Sequence, residues 1–363
     1  MRIAIACGGT GGHIFPGLAT AQELMDRGHD VTLWLAGKDV EGEAVKGWAG
    51  KVVTVPAQGL PSGFSAKSIS ASFKLVRAIV QVKRGMKKAP PDVVLAMGSY
   101  ASVGPVGAAL LLGIPVVLHE SNVVPGRAVR FLSRWATCVA GCFDETRFYL
   151  RRRNLVLTGM PLRQELLGAA LQPLLPRSAP RILVMGGSRG ARALNEMVPR
   201  VLVRLRREGL PFAVTHLAGE QDAETVAVAY RDGGVEAHVI PFTRKIGEVY
   251  AQTDFAICRS GAASCAELSA FGIPALLIPY PHAIHDHQTE NARAMEKAGA
   301  ADMVPEKDLS DDWLATYITQ MIKHEDRRRA MSDASRVRAS GNGAKQLSDL
   351  VEKTVRGTGH RHA

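Results

Sequence analysis

The residues Gly8-Gly9-Thr10-Gly11-Gly12 follow the apolar run Ile3-Ala4-Ile5-Ala6 and lead to His13, with a helical pattern starting near Pro16. Glycine lets a backbone come close to a ligand. A helix beginning just beyond presents unpaired N–H groups and the positive end of its dipole, which suits a phosphate. His13 has an ordinary pKa near working pH, so on such a loop it is a candidate general base. The same residues would also make a plain tight strand-to-helix turn. A dinucleotide fingerprint requires Gly-x-Gly-x-x-Gly, but counting from Gly9 reaches Gly11 and then Ile14. No Lys-Ser or Lys-Thr follows, so the loop is not a Walker loop either.

The pattern recurs. Ile182–Met185 runs into Gly186-Gly187-Ser188-Arg189-Gly190, where backbone amides and the Ser188 hydroxyl can cradle a diphosphate. Arg259-Ser260-Gly261 opens the stretch Ala262-Ala263-Ser264-Cys265-Ala266-Glu267; there Glu267 either accepts two hydrogen bonds from a ribose diol or is an ordinary exposed helix carboxylate. Farther on, Gln288 and Asn291 stand three apart at a helix start, a spacing that aims both at one ligand's hydroxyls. His282, His285 and His287 lie nearby at spacings of three and two in a loop, which is poor geometry for a metal. In the first half, Gly98-Ser99-Tyr100 and His119-Glu120-Ser121-Asn122 both follow apolar runs. Polar groups after strands are more often functional than structural, although Asn122 serves equally to hold a turn.

Short apolar runs alternating with helical patterns must position these loops. Strands are predicted at 2–7, 31–36, 51–56, 92–97, 115–119 and 137–140, then at 181–185, 212–217, 237–241, 254–258 and 274–279. Helices are predicted at 16–27, 194–208, 262–271 and 289–299, and through much of 311–355, with a loose tail from 357. Strands that are nearly all apolar suit parallel sheets covered on both faces, and the alternation implies α/β doubly wound sheets. Residues 171–180 hold three prolines and no period, so the chain is expected to be two Rossmann-like units whose ligands sit at strand carboxyl ends, in the cleft between them.

A length of 363 residues suits two such domains. The net charge of +11 favours phosphate-bearing partners without choosing among nucleic acid, anionic membrane and small molecules. Scattered charge and only 6% aromatic residues, with no stacking motif, argue against nucleic acid. Cys7, Cys138, Cys142, Cys258 and Cys265 are odd in number and lie in apolar runs, so buried free thiols in a reducing compartment are expected. No signal peptide is apparent at the N-terminus. The most apolar stretch, 103–118, is broken by Gly104, Pro105, Gly107, Gly113 and Pro115 and reads as helix, turn and strand. A soluble or surface-attached protein is expected.

Taken together and in order, Gly8–Ala19, Gly98-Ser-Tyr100, His119–Asn122, Gly159-Met-Pro-Leu-Arg163, Gly186–Gly190, Arg259-Ser-Gly…Glu267 and Asp286–Ala292 resemble the MurG-type glycosyltransferases over most of the chain. The resemblance implies a GT-B fold, with residues 1–162 as acceptor- and membrane-facing domain, 163–342 as UDP-sugar domain, and a C-terminal helix near 343–356 packing back on the first. It implies inverting transfer of N-acetylglucosamine from UDP-N-acetylglucosamine to the C4 hydroxyl of undecaprenyl-diphospho-N-acetylmuramoyl-pentapeptide, lipid I to lipid II, with no metal and no cofactor. Carried over by position, Thr10, Gly11, Gly12, Asn122, Arg163, Ser188, Ala262–Glu267 and Gln288 contact the donor, and Thr243 lies near uracil through its backbone. His13 is the favoured base, with Glu120 and Tyr100 as acceptor-side alternatives. The chain departs from the family at Ser99, usually glycine, at Ser121, usually glutamine, and at Met160, usually asparagine.

The implied partners are UDP-N-acetylglucosamine, the undecaprenyl-linked acceptor, the anionic cytoplasmic face of the inner membrane as a peripheral site, and other cell-wall synthesis proteins. Ile69, Phe73, Val76 and Val80 share a helical face among Lys74, Arg77, Lys83, Arg84, Lys87 and Lys88, which is either a lipid-docking surface or a core-facing helix with a solvated basic side. A transferase with a soluble acceptor would share the donor loops but lack the Gly8–Ala19 and His119–Asn122 motifs. An NAD-linked oxidoreductase is disfavoured by the broken fingerprint.

Overall fold

The computed structural model describes residues 1–37, 42, 44–55, 66–151, 154–171, 179–187, 191–339 and 341–359. They form two compact units: Met1–Arg163 with Ser340–Ala363, and Gln164–Ala339.

In the first unit, β1 (Arg2–Ala6), β2 (Asp30–Leu35), β3 (Lys51–Thr54), β4 (Val93–Ala96), β5 (Val116–Glu120), β6 (Cys138–Gly141) and β7 (Leu155–Leu157) form one sheet. Its order is β3-β2-β1-β4-β5-β6-β7, with every pairing parallel. Successive side chains point to opposite faces. Ile3 and Ile5 pack with Leu33, Leu95 and Val117 on one face, while Ala4 and Ala6 pack with Val94, Val106 and Leu118 on the other. Helix Gly343–Gly359 covers the first face, burying Leu347 and Val351 beside Ile3 and Ile5. Its outer side meets helix Gly11–Asp26: the Arg27 guanidinium reaches Asp349 at 2.7 Å and Glu352 at 3.3 Å.

The second unit repeats the design with β8 (Arg181–Met185), β9 (Ala213–Leu217), β10 (Ala237–Ile240), β11 (Phe255–Cys258), β12 (Ala275–Leu277) and β13 (Ala301–Met303). The order is β10-β9-β8-β11-β12-β13, again all parallel. Ile182, Val184, Phe255 and Ile257 face one core; Leu183, Met185, Ala256 and Cys258 face the other. Both units are therefore doubly wound parallel sheets, the α/β class read from the apolar runs.

Several elements differ from the sequence reading. The first helix starts at Gly11, so Pro16 lies inside it; the bond its missing N–H forgoes would have gone to Gly12, an exposed residue where water can serve. Strands β7 and β13 were not predicted, because three residues are too few to show a period. The last helix continues to Gly359 instead of fraying from 357. The stretch 103–118 resolves as helix Val103–Leu111 followed by β5, and among the described residues no helix is long and apolar enough to cross a membrane.

Candidate active site

In a doubly wound sheet, ligands bind beyond the strand carboxyl ends where the strand order reverses. In the first unit that point lies between β1 and β4, and in the second between β8 and β11. The loops emerging there are Cys7–Thr10 and Met97–Ser99 in one, Gly186-Gly187 and Arg259–Gly261 in the other. Topology thus puts both glycine-rich turns at the sheet positions suited to a ligand.

In the first loop Gly9 has φ 131°, a conformation that side chains resist, and a Cβ there would lie 3.0 Å from the Ser99 Cβ. Thr10 caps the helix with its backbone, its carbonyl accepting from His13 N–H at 2.9 Å and Ile14 N–H at 3.1 Å. The half-buried His13 ring sits with Nδ1 3.0 Å from the Thr10 hydroxyl. Across the switch point, Gly98 has φ 94°, and a Cβ on it would crowd the His119 carbonyl at 3.0 Å and Val129 Cγ2 at 3.1 Å, with His13 Cδ2 in ordinary contact at 3.9 Å. Ser99 donates through its hydroxyl to the Gly8 carbonyl and accepts from Ala101 N–H, so this departure from glycine ties the two loops together. Tyr100 is 46% exposed beside it. A Cβ on Gly11 would meet the Phe15 ring at 3.1 Å, and that ring carries the Arg163 guanidinium 5.1 Å from its centre.

His119 and Glu120 end β5, and both are buried. The Glu120 carboxylate accepts from Asn122 N–H at 2.9 Å, Asn122 Nδ2 at 3.1 Å and Gly126 N–H at 3.0 Å. Burial pushes its pKa up while those donors oppose the shift. The arrangement fixes the Asn122–Gly126 turn. Burial also pushes His119 down to about 4, the Gly159 carbonyl opposing and His13 adding to the effect. At neutral pH His119 is uncharged.

In the second unit Gly187 has φ 90°, and Ser188, assigned to the diphosphate from sequence, lies outside the described residues. Helix Ala262–Phe271 starts without a side-chain cap, so the first-turn amides of Ala262, Ala263 and Ser264 have no partner within the helix. Ala262 and Cys265 are buried, while Ala263, Ser264, Ala266 and Glu267 are half-buried. Glu267 Oε2 accepts the Tyr250 O–H at 2.8 Å. The Thr243 hydroxyl accepts from Lys245 N–H at 3.0 Å, turning the chain beyond β10.

Gln288 and Asn291 do not share one ligand-facing surface. The Gln288 side-chain carbonyl accepts from Tyr280 N–H at 3.0 Å, while Asn291, at 0% exposure, donates to the Ser260 carbonyl at 3.1 Å. The Ser260 hydroxyl donates in turn to the Gln288 carbonyl at 2.8 Å. Asn291 therefore braces the Arg259–Gly261 loop from within, a role that spacing at a helix start does not reveal. Arg259 is clamped by the Ile278 and Pro279 carbonyls and by Glu306. His285 and Asp286 hold φ of 56° and 54° in the turn before helix His287–Lys297. Among the described residues no group of three or more His, Cys, Asp or Glu is placed to hold a metal.

Sequence reasoning missed Gly17 and Tyr250. Gly17 lies against β1, where a Cβ would come 2.5 Å from the Cys7 Cβ. Its signal was there: a second small residue, Ala21, four positions on and so on the same helix face. Tyr250 gave none, for its meaning depends on Glu267, seventeen residues away.

Two family descriptions match this architecture: the glycosyltransferase family 28 N-terminal domain over residues 3–141 and the family 28 C-terminal domain over 181–351. The UDP-N-acetylglucosamine--N-acetylmuramyl-(pentapeptide) pyrophosphoryl-undecaprenol N-acetylglucosamine transferase of Ectopseudomonas mendocina is 38% identical over 358 residues, 98% of this chain and 99% of its own. Its counterpart in Stutzerimonas stutzeri is 37% identical over 357 residues, with 98% and 99% covered. The crystal structure of Acinetobacter baumannii MurG superposes with a TM-score of 0.81 at 29% identity, covering 97% of this chain and 99% of that one. The chain belongs to glycosyltransferase family 28, with the GT-B fold, and within that family to the MurG-type N-acetylglucosamine transferases.

Proposed function

We infer that the chain transfers N-acetylglucosamine from UDP-N-acetylglucosamine to undecaprenyl-diphospho-N-acetylmuramoyl-pentapeptide, converting lipid I to lipid II in peptidoglycan synthesis. The observation that carries this is the 38% identity, spread over nearly the whole of both chains, with a transferase of that name. The acceptor C4 hydroxyl attacks C1 of the α-linked sugar. The C1–O bond to the diphosphate breaks with its electron pair leaving on UDP, and the product is β-linked. In our reading His13 takes the hydroxyl proton, with Glu120 and Tyr100 as the alternatives to be tested. Thr10, Gly11, Gly12, Asn122 and Arg163 in the first unit approach the donor. In the second, the amides after Gly187, with Ser188, and those at Ala262–Ser264 meet the charge that grows on the diphosphate. Glu267 holds the ribose diol, Thr243 the uracil and Gln288 the sugar hydroxyls.

The test is UDP release from UDP-N-acetylglucosamine with and without the lipid-linked acceptor, with mass analysis of the product. Acceptor-dependent release and a disaccharide product are expected. Equal release without acceptor, or transfer to soluble sugars alone, would contradict the reading.

Helix Ala66–Lys88 bears on where the reaction takes place. Ala78, Val82 and Met86 face the core, whereas Phe73, Val76 and Val80 are 72%, 58% and 40% exposed; the Ile69 side chain lies outside the described residues. The apolar stripe therefore points away from the core, among exposed Lys74, Arg77, Arg84, Lys87 and Lys88. We propose that this face docks on the anionic cytoplasmic leaflet, each basic group contributing about 1 kcal/mol near the surface. Flotation with vesicles containing anionic lipid should fall on Lys74→Glu with Arg77→Glu; unchanged flotation would place docking elsewhere.

A further inference from the structure

We propose that Tyr250 is a positioning residue for the transfer: through Glu267 it fixes the carboxylate on the ribose diol and so sets a preference for ribonucleotide over 2′-deoxyribonucleotide donors. The inference rests on the reading of Glu267 given above.

Tyr250 ends the short helix Ile246–Tyr250, which Lys245 caps. The segment Thr243-Arg244-Lys245 leads directly into that helix. One short stretch therefore carries the backbone assigned to uracil at its start and the Tyr250 ring at its end. The ring is buried among Met185, Cys258, Cys265 and Phe271, with its centroid 5.2 Å from that of Phe271. Its hydroxyl donates to Glu267 Oε2 at 2.8 Å, and the Met185 sulfur at 3.7 Å is a far weaker acceptor. Burial and the Glu267 charge push the phenol well above its ordinary range, so it remains a donor at any working pH. Glu267 stands half-buried in the second turn of helix Ala262–Phe271, on a side chain with three rotatable bonds. A donor locked in the core confines that carboxylate to one direction before any nucleotide arrives, which is preorganisation.

The test uses the full chain, the lipid-linked acceptor, and two donors: UDP-N-acetylglucosamine and its 2′-deoxyuridine analogue. Tyr250→Phe keeps the ring packed on Phe271 and removes only the hydroxyl. KM for the ribonucleotide donor should rise about ten-fold, the size of one lost charge-assisted hydrogen bond. Its kcat should hold, and KM for the 2′-deoxy donor, which keeps only the 3′-hydroxyl for Glu267, should rise less, so the preference shrinks. Glu267→Ala serves as reference and should abolish the preference. An equal rise in KM for both donors, or no rise at all, would overturn the role of Tyr250 while leaving Glu267 in place. A Glu267→Ala variant that kept the full preference would instead overturn the ribose reading of Glu267, and the proposal with it.

Discussion

The Nδ1 atom of His13 lies 3.0 Å from the hydroxyl of Thr10, one helical turn earlier. An Nδ1–H that donates to Thr10 puts the basic site of the ring on Nε2, the tautomer a general base needs. Thr10→Val removes the partner and keeps the shape, so kcat should fall about ten-fold, the effect of losing one hydrogen bond. His13→Ala should cost about 10² to 10⁴ in kcat, the usual worth of a general base, with donor KM nearly unchanged. Steady-state kinetics on both variants decide the matter. Wild-type turnover in His13→Ala would remove His13 from the chemistry and move attention to Tyr100.

Glu120 calls for a different signature. Its carboxylate holds two N–H groups of the backbone and the Asn122 amide, from a side chain almost sealed from water. Glu120→Gln turns an acceptor into a donor facing donors, at a cost of about 1–3 kcal/mol. Thermal denaturation should therefore show a lower Tm, together with a moderate loss of kcat. Unaltered Tm with kcat lost by about a hundred-fold or more, the scale of a group acting in the proton transfer, would mean that Glu120 acts on the substrate and not on the turn.

Gly17 tests the close approach of helix Gly11–Asp26 to β1. A Cβ there would meet the Cys7 Cβ at 2.5 Å, which cannot move without shifting the backbone at the end of β1, and its sulfur at 3.0 Å. Gly17→Ala should destabilise the first unit by about 1–3 kcal/mol, as overpacking does. Cys7→Gly should recover part of that loss by clearing the same space, whereas a Gly17→Ala chain as stable as wild type would show the contact to be looser than the geometry indicates.

The loops at the two switch points were legible because nearly unbroken apolar runs such as Ile3–Ala6 and Ile182–Met185 have one good use, as parallel strands covered on both faces. Glycine then marked where each strand turns into a helix. What stayed hidden was long-range or too short to carry a period. Tyr250 gains its role from a residue in another helix, and Asn291 sits at the spacing of a ligand contact yet turns inward to Ser260. Strands β7 and β13, three residues each, are defined by their neighbours' open edges and not by their own pattern. The direction of the Phe73, Val76 and Val80 stripe was open in sequence, since an apolar helix face looks the same whether it meets a core or a bilayer.

Acid should act most steeply on the second unit. His216 is fully buried on β9, its Nε2 3.0 Å from Asn195 Oδ1 and its Nδ1 3.0 Å from the Tyr230 hydroxyl. The Asn195 amide nitrogen is committed to the Ala218 carbonyl at 2.8 Å and to Asp222 at 2.7 Å, so its oxygen faces His216 and accepts the Nε2–H. Tyr230 then donates to Nδ1, and the neutral ring is satisfied on both sides. Burial pushes the His216 pKa down to about 3, against 6.5 for the free group. The unfolded chain therefore takes up a proton below pH 6.5 that the folded chain refuses. The His216 contribution is whole above pH 6.5 and is lost as pH falls toward 3, by about 1.4 kcal/mol for each pH unit in between. His119, pushed down to about 4, acts with the same sign in the first unit, where the raised Glu120 carboxyl opposes it. His216's own partners supply no such opposing shift, so the strands of the second unit should show the steeper acid dependence. Urea denaturation between about pH 7 and pH 4, followed in wild type and in His216→Gln, measures it. The variant should be less stable at neutral pH and lose less per pH unit; parallel curves would show that His216 is protonated in the folded state or is not the group responsible.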